Sequence, residues 1–125
     1  MQIKNDNAHA QTKCKTELIA LRDSLDVLGG KWKLRIMLYL ALRTTEQHHF
    51  KKILREIEGL SAKMLSKELR ELESNLLITR TQQADGSVEY AITDYGHSVI
   101  PVMNTLIQWG LHHREVVKSS IIHHS

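Results

Sequence analysis

The side chains of this sequence that could carry out chemistry are one thiol, eight histidines and a cluster of cations near its middle. The histidines include three adjacent pairs, at positions 48–49, 112–113 and 123–124. Neighbouring residues on a helix point about 100° apart, so these pairs lack the i, i+4 spacing of a helical zinc site. The sequence contains no glycine-rich phosphate loop, nucleophile elbow or paired-carboxylate motif. We therefore expect neither an enzyme nor a bound metal or cofactor.

The thiol belongs to Cys14, the only cysteine, which excludes an internal disulfide and fits a reducing compartment. Lys13 and Lys15 flank it, and nearby positive charge and a helix N-terminus both stabilise the reactive thiolate. The same residue also begins an apolar stripe at helical spacing, which continues through Leu18, Leu21, Leu25 and Leu28. Two interpretations stay open: Cys14 senses oxidants or electrophiles, or it is a small buried apolar residue.

The cations lie in the segment GLSAKMLSKELRELESN, residues 59–75, which has the pattern of a two-faced helix. Leu65, Leu69, Leu72 and Leu76 fall within one narrow arc, and a polar, basic face lies opposite them. The major groove of DNA admits a helix that is apolar towards its own domain and hydrogen-bonding on the other side. We predict a recognition helix at about 61–75, with Ser61 as its N-cap and DNA contacts from Ser61, Lys63, Ser66, Lys67 and Arg70.

The elements around this segment have a recognisable order. A helix from Cys14 stops at Gly29-Gly30, and KWKLRIMLYLALR, residues 31–43, predicts a central helix that is apolar around most of its circumference. A short amphipathic helix over 50–58 and a glycine-containing turn precede the recognition helix, which makes a helix-turn-helix. Two strand-like runs then flank Asp85-Gly86, a hairpin turn signal in which we expect both residues to take positive φ. A final helix contains Pro101, which predicts a kink or break.

This order predicts a mainly α fold with a small β-hairpin, a winged helix-turn-helix with extra N- and C-terminal dimerisation helices. We expect a flexible arm over 1–13, one domain over 14–118 and a tail over 119–125. Within the domain, the wing spans about 78–93 and the C-terminal dimerisation helix about 95–118. Further DNA contacts are predicted from the start of the second helix and from the wing, at Lys31, Lys33, Arg80, Gln82, Gln83 and Ser87.

Charge supports this interpretation. The net charge is +3, but residues 31–70 hold ten Lys or Arg and only four Asp or Glu. A basic centre between acidic flanks is expected of a segment that faces a polyanion such as double-stranded DNA. The sequence has no apolar run long enough for a membrane span and no signal peptide, so we expect a cytoplasmic protein that does not contact membranes.

Three sequence motifs carry a family resemblance. Gly29-Gly30-Lys31-Trp32, the run LSKELREL at 65–72, and Val88-Glu89-Tyr90 leading to Thr93 and Gly96 resemble the HxlR-type winged-helix transcriptional regulators over about residues 14–110. The resemblance implies a homodimeric bacterial repressor or activator joined through its first and last helices, and a sensing role for the N-terminal cysteine. Lys15 stands where the family often has proline, and the wing tip, Ala84 to Ser87, is shorter than is common in the family.

The first and last helices also predict a homodimer without the resemblance, because their apolar faces exceed what one small domain can bury. The predicted interface draws on residues 14–28 and 95–117 and includes Leu18, Leu21, Leu25, Ile100, Met103, Ile107 and Leu111. Two-fold symmetry would require a pseudo-palindromic operator. A small-molecule effector or oxidant is not identified by the sequence, and control by a small ligand or a protein partner is the alternative to thiol chemistry.

Overall fold

The computed structural model describes residues 3–43 and 46–124, which form six helices and one hairpin. The fold class predicted from the sequence is confirmed. In chain order the elements are α1 (Ile3–Leu28), α2 (Lys33–Leu42), α3 (Phe50–Glu56), α4 (Ala62–Ser74), β1 (Ile78–Gln82), β2 (Val88–Ile92), α5 (Asp94–His97) and α6 (Ile100–His124).

The hydrophobic core is built around α2. Ile36, Met37 and Leu40 of this helix are almost fully buried, and they belong to one cluster with the leucine stripe of α4. Residues of α3, the hairpin and the first turn of α6 complete the same cluster. A short helix that is apolar on most sides has no stable exposed face, which explains why α2 occupies the centre.

The turn between α3 and α4 places the two helices of the helix-turn-helix. Gly59 has a φ of +85°, a backbone conformation that side chains with a Cβ rarely adopt, and the indole of Trp32 lies against it. Leu60 is buried, and Ser61 then caps α4 by accepting a hydrogen bond from the Met64 backbone N–H at 3.1 Å. The predicted N-cap is therefore confirmed.

The hairpin is antiparallel, with Ile78 opposite Ile92 and Gln82 opposite Val88. Only Gly86 of the turn has a positive φ, +89°, and its N–H donates to the Gln83 carbonyl. The expectation that both Asp85 and Gly86 take positive φ is therefore wrong, because the loop is a type I turn closed by a left-handed glycine. A backbone bond from Tyr90 to the His48 carbonyl, 2.8 Å, joins the hairpin to the connector before α3.

Both terminal helices are longer than the sequence predicts. Helix α1 begins at Ile3, so residues 3–13 of the predicted arm are helical, while residues 1 and 2 lie outside the described range. Helix α6 continues to His124, so the predicted tail over 119–125 is helical up to that residue. The break before α6 falls at Ser98 and Val99, and Pro101 lies in the first turn, where its missing N–H leaves no helical bond unmade.

Candidate nucleic-acid interface

Helix α4 has one face fixed in the core and one face in solvent. Leu65, Leu69 and Leu72 are at most 2% exposed. Lys63, Lys67 and Arg70 are exposed on the other side, and Ser66 is half-buried. The division of faces predicted for residues 61–74 is therefore present, and three cations project from a helix that the core holds in place.

Arg70 and Ser66 are one turn apart and already interact. The Arg70 guanidinium Nη1 donates to the Ser66 hydroxyl at 3.3 Å. This contact directs the guanidinium along the exposed face and leaves its other N–H groups for a partner. A planar fork of donors matches a guanine edge or a phosphate.

A cleft of about 470 Å³ separates the C-terminal half of α4 from the hairpin. Arg70 on the helix and Arg80 on β1 both line it, with Phe50 and Tyr90 among its apolar lining residues and Glu73 as its carboxylate. The structure thus brings together two cations that are ten residues apart in sequence and were predicted from different elements. Two guanidinium groups beside one cleft can hold an anion such as a DNA phosphate.

The other predicted wing residues divide into two kinds. Gln82 is exposed, whereas Gln83 is half-buried and donates from its side chain to Glu89 at 2.7 Å. The Ser87 backbone N–H and hydroxyl both donate to Asp85, at 2.9 and 2.6 Å, and these bonds hold the pKa of the Asp85 carboxyl below its usual value. Gln83 and Ser87 therefore stabilise the wing itself, which their sequence pattern did not indicate.

The start of α2 corrects one prediction. Lys33 does not project towards a partner: the residue is 8% exposed, and its ammonium lies 2.8 Å from Glu68 Oε2 and also contacts Glu71. Burial lowers the pKa of Lys33, but the two carboxylates raise it by more, so the pKa lies above its usual value. A DNA contact by Lys33 is therefore wrong, whereas Lys31 is exposed with its ammonium 5.1 Å from the Trp32 ring centre.

Three of the ten cations in residues 31–70 are held by carboxylates within the described residues. Besides Lys33, these are Arg43, which contacts Glu56, and Lys52, which lies 2.8 Å from Glu46. The hydrogen bond from Lys52 lowers the pKa of Glu46. Lys63, Lys67 and Arg70 on α4 have no such ion pair among the described residues, so these three cations are available to a polyanion.

The predicted interface residues of the terminal helices are mostly exposed in the single chain. Leu18, Leu21 and Leu25 on α1 are 57 to 61% exposed, and Ile107 and Leu111 on α6 are also exposed.

Two residues of that set differ. Met103 is 3% exposed and belongs to the core of its own subunit, so its assignment to the interface is wrong. Ile100 is half-buried and packs against the same core. One residue per turn at the start of α6 anchors the helix to the body, and the residues beyond it carry the exposed face.

Cys14 is exposed on α1, which removes the interpretation as a buried core residue of the single chain. Because α1 begins at Ile3, Cys14 lies in the middle of the helix rather than near its N-terminus. The expected stabilisation of a thiolate by the helix N-terminus is therefore wrong, since that field falls off within the first turn. Lys13, beside it, pairs with Glu17 at 3.8 Å.

Among residues 3–43 and 46–124, no cluster of three histidine, cysteine or acidic side chains has the geometry to ligate a metal ion. None of the helices in that part of the chain is both long and apolar enough to span a bilayer.

Sequence reasoning missed the acidic partners of the site. The sequence pattern does not predict that Glu68 and Glu71 hold Lys33, or that Glu73 lines the cleft. Their i, i+3 spacing beside the leucine stripe was a usable signal for two carboxylates that meet one cation. Tyr90 and Phe50 could not be placed in the cleft, since that requires the position of the hairpin relative to α4.

Comparison with known proteins agrees with this geometry. Residues 27–118 match the family model described as HxlR-like helix-turn-helix. The uncharacterized HTH-type transcriptional regulator BH0655 of Halalkalibacterium halodurans is 36% identical over 90 residues, which are 70% of this chain and 78% of that protein. The redox regulator HypR in its reduced form is similar in structure, with a TM-score of 0.68, 29% identity, and coverage of 80% of this chain and 98% of that chain.

The reduced form of the transcriptional regulator YodB from Bacillus subtilis is similar as well. It has a TM-score of 0.63 and 27% identity, and the match covers 72% of this chain and 87% of that chain. The family match spans well over half of the residues and includes α2, the helix-turn-helix, the hairpin and most of α6. This chain therefore belongs to the HxlR-like helix-turn-helix family of transcriptional regulators.

Proposed function

We propose that this protein is a homodimeric, sequence-specific regulator of transcription that places α4 in the major groove of a pseudo-palindromic operator. The observation that carries the proposal is the exposed row of Lys63, Lys67 and Arg70 on a helix whose opposite face is locked in the core. A helix with three solvent-facing cations and a fixed orientation can present side chains to base edges at a defined register.

The cleft between α4 and the hairpin supports a second set of contacts. Arg70 and Arg80 line it, so a DNA strand that passes between recognition helix and wing would meet cations on both sides. We assign Arg80, Gln82 and Lys31 to backbone contacts, which position the protein but do not select sequence. Arg70 is the strongest candidate for base readout, because Ser66 steadies its guanidinium.

The homodimer is supported by apolar surface on both terminal helices. Large exposed apolar side chains follow one another along α6, and they include Leu106, Trp109, Leu111, Val116, Val117 and Ile121. The leucines of α1 are exposed as well, and clustered exposed apolar side chains are typical of protein–protein interfaces. A two-fold interface would bury them and would place two copies of α4 about one helical turn of DNA apart.

DNA recognition is tested with an operator obtained by selection from random DNA. Wild-type protein should bind it with an affinity that falls steeply with salt, because bound cations release counterions from DNA. The Lys63→Ala, Lys67→Ala, Arg70→Ala triple variant should lose binding, and a triple variant at the exposed cations Lys13, Lys15 and Arg22 of α1 is the matched control. A folded α4 variant that binds as tightly as wild type would refute the proposal.

Control by thiol chemistry at Cys14 is the finer part of the proposal. Two observations support it: the thiol is exposed, and the chain resembles HypR, a protein named as a redox regulator. Oxidation would give a sulfenic acid, a mixed disulfide with a small thiol, or a bridge between the two Cys14 residues of a dimer. The bridge requires the two Cα atoms within about 7 Å.

Operator binding after treatment with diamide separates these routes. The wild-type protein should change its affinity after treatment and recover it with dithiothreitol, while Cys14→Ser protein should not respond. Non-reducing electrophoresis distinguishes the intersubunit bridge from a small-thiol adduct. An unchanged affinity of treated wild-type protein favours the second candidate, a regulator controlled by a small ligand or a protein partner.

A further inference from the structure

The ammonium group of Lys33 is buried and takes no part in the proposed DNA contacts, which come from exposed cations. Lys33 is the first residue of α2, where the positive end of the helix dipole makes a cation unfavourable. Its side chain is nevertheless 10% exposed and directed at Glu68 and Glu71, two acids one turn apart on α4. Two carboxylates from the recognition helix thus offset the unfavourable effects of burying a cation and of placing it at a helix N-terminus.

We infer that Lys33, Glu68 and Glu71 form a clamp that fixes the rotation and register of the recognition helix, and that these three residues promote DNA binding without touching DNA. The inference deepens the proposed function and rests on α4 as the DNA-reading element. The leucine stripe attracts α4 to the core but is not directional, whereas a cation between two carboxylates defines where the helix lies along α2.

The position of the clamp explains how it would act on recognition. Lys67 and Arg70 immediately precede Glu68 and Glu71 in the sequence, so they lie about 100° away on the same turns of the helix. A rotation of α4 that separates the acids from Lys33 therefore moves both exposed cations. Glu68 is only 12% exposed in its side chain, which shields this contact from solvent and salt.

The clamp also links the recognition helix to α1. Trp32, next to Lys33, is 6% exposed and its indole lies against Gly59 in the turn before α4. On its other side, Lys33 is joined to α1 through residues 29–32, in which the Gly29 N–H donates to the Leu25 carbonyl at 2.7 Å. Residues 29–33 therefore connect α1 to the turn before α4, through Trp32, and to α4 itself, through Lys33.

Removal of Glu68 and Glu71 gives the sharpest test, because the loss of negative charge and the loss of the clamp change DNA affinity in opposite directions. The Glu68→Gln, Glu71→Gln variant loses two negative charges from the DNA-facing helix, which on charge alone would tighten binding. The clamp predicts that binding instead weakens by about tenfold. Glu58→Gln is the matched control: Glu58 is an exposed acid in the turn before α4, outside the cleft, and this variant should bind as tightly as wild type or more tightly.

Lys33→Met separates a clamp from a phosphate contact. A lost phosphate contact reduces the slope of log affinity against log salt by about 0.9, as expected for Lys67→Met, whereas a lost clamp lowers affinity at an unchanged slope. Because Lys33→Met leaves carboxylates without their partner, the Lys33→Met, Glu68→Gln, Glu71→Gln variant provides a version with no unpaired charge. It gains one net positive charge, yet should also bind about tenfold more weakly than wild type.

Hydrogen exchange in the absence of DNA distinguishes failure of the clamp from failure of DNA recognition. Backbone amides of residues 62–74 should exchange faster in the Glu68→Gln, Glu71→Gln variant than in Glu58→Gln, while those of the hairpin stay unchanged. Faster exchange of α4 in a protein whose wild type binds no operator would support the clamp and refute the proposed function. Unchanged exchange, or operator binding by the double variant at wild-type affinity, would overturn the clamp.

Discussion

The central body of the molecule, residues 32–103, and the two terminal helices, α1 and α6, differ in how far they bury their apolar side chains. Ile36, Leu65 and Leu72 in the body are completely buried. Leu25 on α1 and Trp109 on α6 are 59% and 63% exposed, although both belong to helices of 25 residues or more. The body thus buries most of its large hydrophobic side chains, whereas the terminal helices leave many of theirs exposed.

This difference separates two tasks within one small chain. Residues from Trp32 to Met103 contain the whole buried core and the candidate DNA-reading face. The terminal helices contribute little to that core, although most of the stability of a helix in a protein comes from packing of its apolar face. We infer that DNA reading is a property of each subunit, while the terminal helices gain their stability from a second copy.

The largest expected effect is on assembly. Leu25→Glu places a carboxylate in the predicted interface twice, once from each subunit. A buried leucine contributes roughly 2 kcal/mol, so the dimer should dissociate at least about a thousandfold more readily. Sedimentation equilibrium measures the change, and circular dichroism should still show a folded body.

Leu42→Glu is the matched control for assembly. Leu42 is 74% exposed but lies at the end of α2, in the body. If exposed leucines matter only on the terminal helices, this variant should sediment like wild type. A wild-type protein that is monomeric at micromolar concentration, or a Leu25→Glu protein that stays dimeric, would break the proposed division.

The next largest effect is on the body itself. Leu65→Ala removes a fully buried side chain from the contact between α4 and the core and should lower the free energy of unfolding by about 2 to 5 kcal/mol. Leu18→Ala on α1, measured in the monomeric Leu25→Glu background, should change it by less than about 0.5 kcal/mol. Urea denaturation of both variants compares the two regions directly, and equal effects would contradict the comparison.

Acid should destabilise the body through carboxylates with lowered pKa values. A hydrogen bond from Tyr39 lowers the pKa of Glu56, and one from Lys33 lowers that of Glu71. A lowered pKa in the folded state contributes stability above the unfolded value, about 4.3, that is lost as pH falls through the folded value. The urea concentration at the unfolding midpoint should therefore decrease when the pH is lowered below about 4. The decrease should be smaller in the Glu56→Gln, Glu71→Gln variant. An equally steep decline in that variant would assign the loss to other groups.

The body was also the part that the sequence predicted best. The leucines of α4, the Ser61 cap and the limits of the hairpin follow from helical period, capping and turn residues, all of which are local. The DNA contact predicted for Lys33 was wrong for the opposite reason, because its partners are 35 and 38 residues away and only packing brings them together.

The ends of the terminal helices could not be predicted from the sequence for a different physical reason. The first residues of α1 have no apolar period that marks a helix, and the sequence gives no stop signal that excludes one before Cys14. Met103 shows the same limit on α6, since the helical period places it on an apolar face but does not say which molecule covers that face. The helical period thus does not predict which distant residues pack against each other.

Leu76 was predicted to extend the leucine stripe of α4, and this was wrong. It is 70% exposed, and its successor Leu77 is buried in its place. The Leu76 N–H donates to Glu73 and the Leu77 N–H to Leu72, a Schellman end in which the position of Leu76 requires a positive φ, here +65°. Glycine is the usual residue at that position.

The smallest predicted effect follows from this helix end and has the opposite sign to most leucine substitutions. A left-handed conformation costs a side chain with a Cβ about 1 to 2 kcal/mol, and glycine avoids that cost while losing about 0.5 to 1 kcal/mol in backbone entropy. Leu76→Gly should therefore stabilise the body by up to about 1 kcal/mol, a rise in Tm of about 3 to 5 °C by scanning calorimetry. Leu76→Ala removes the same exposed side chain but keeps the Cβ, so it should bring no gain. A gain in Leu76→Ala equal to that in Leu76→Gly would locate the strain in the leucine side chain rather than in the backbone at the end of α4.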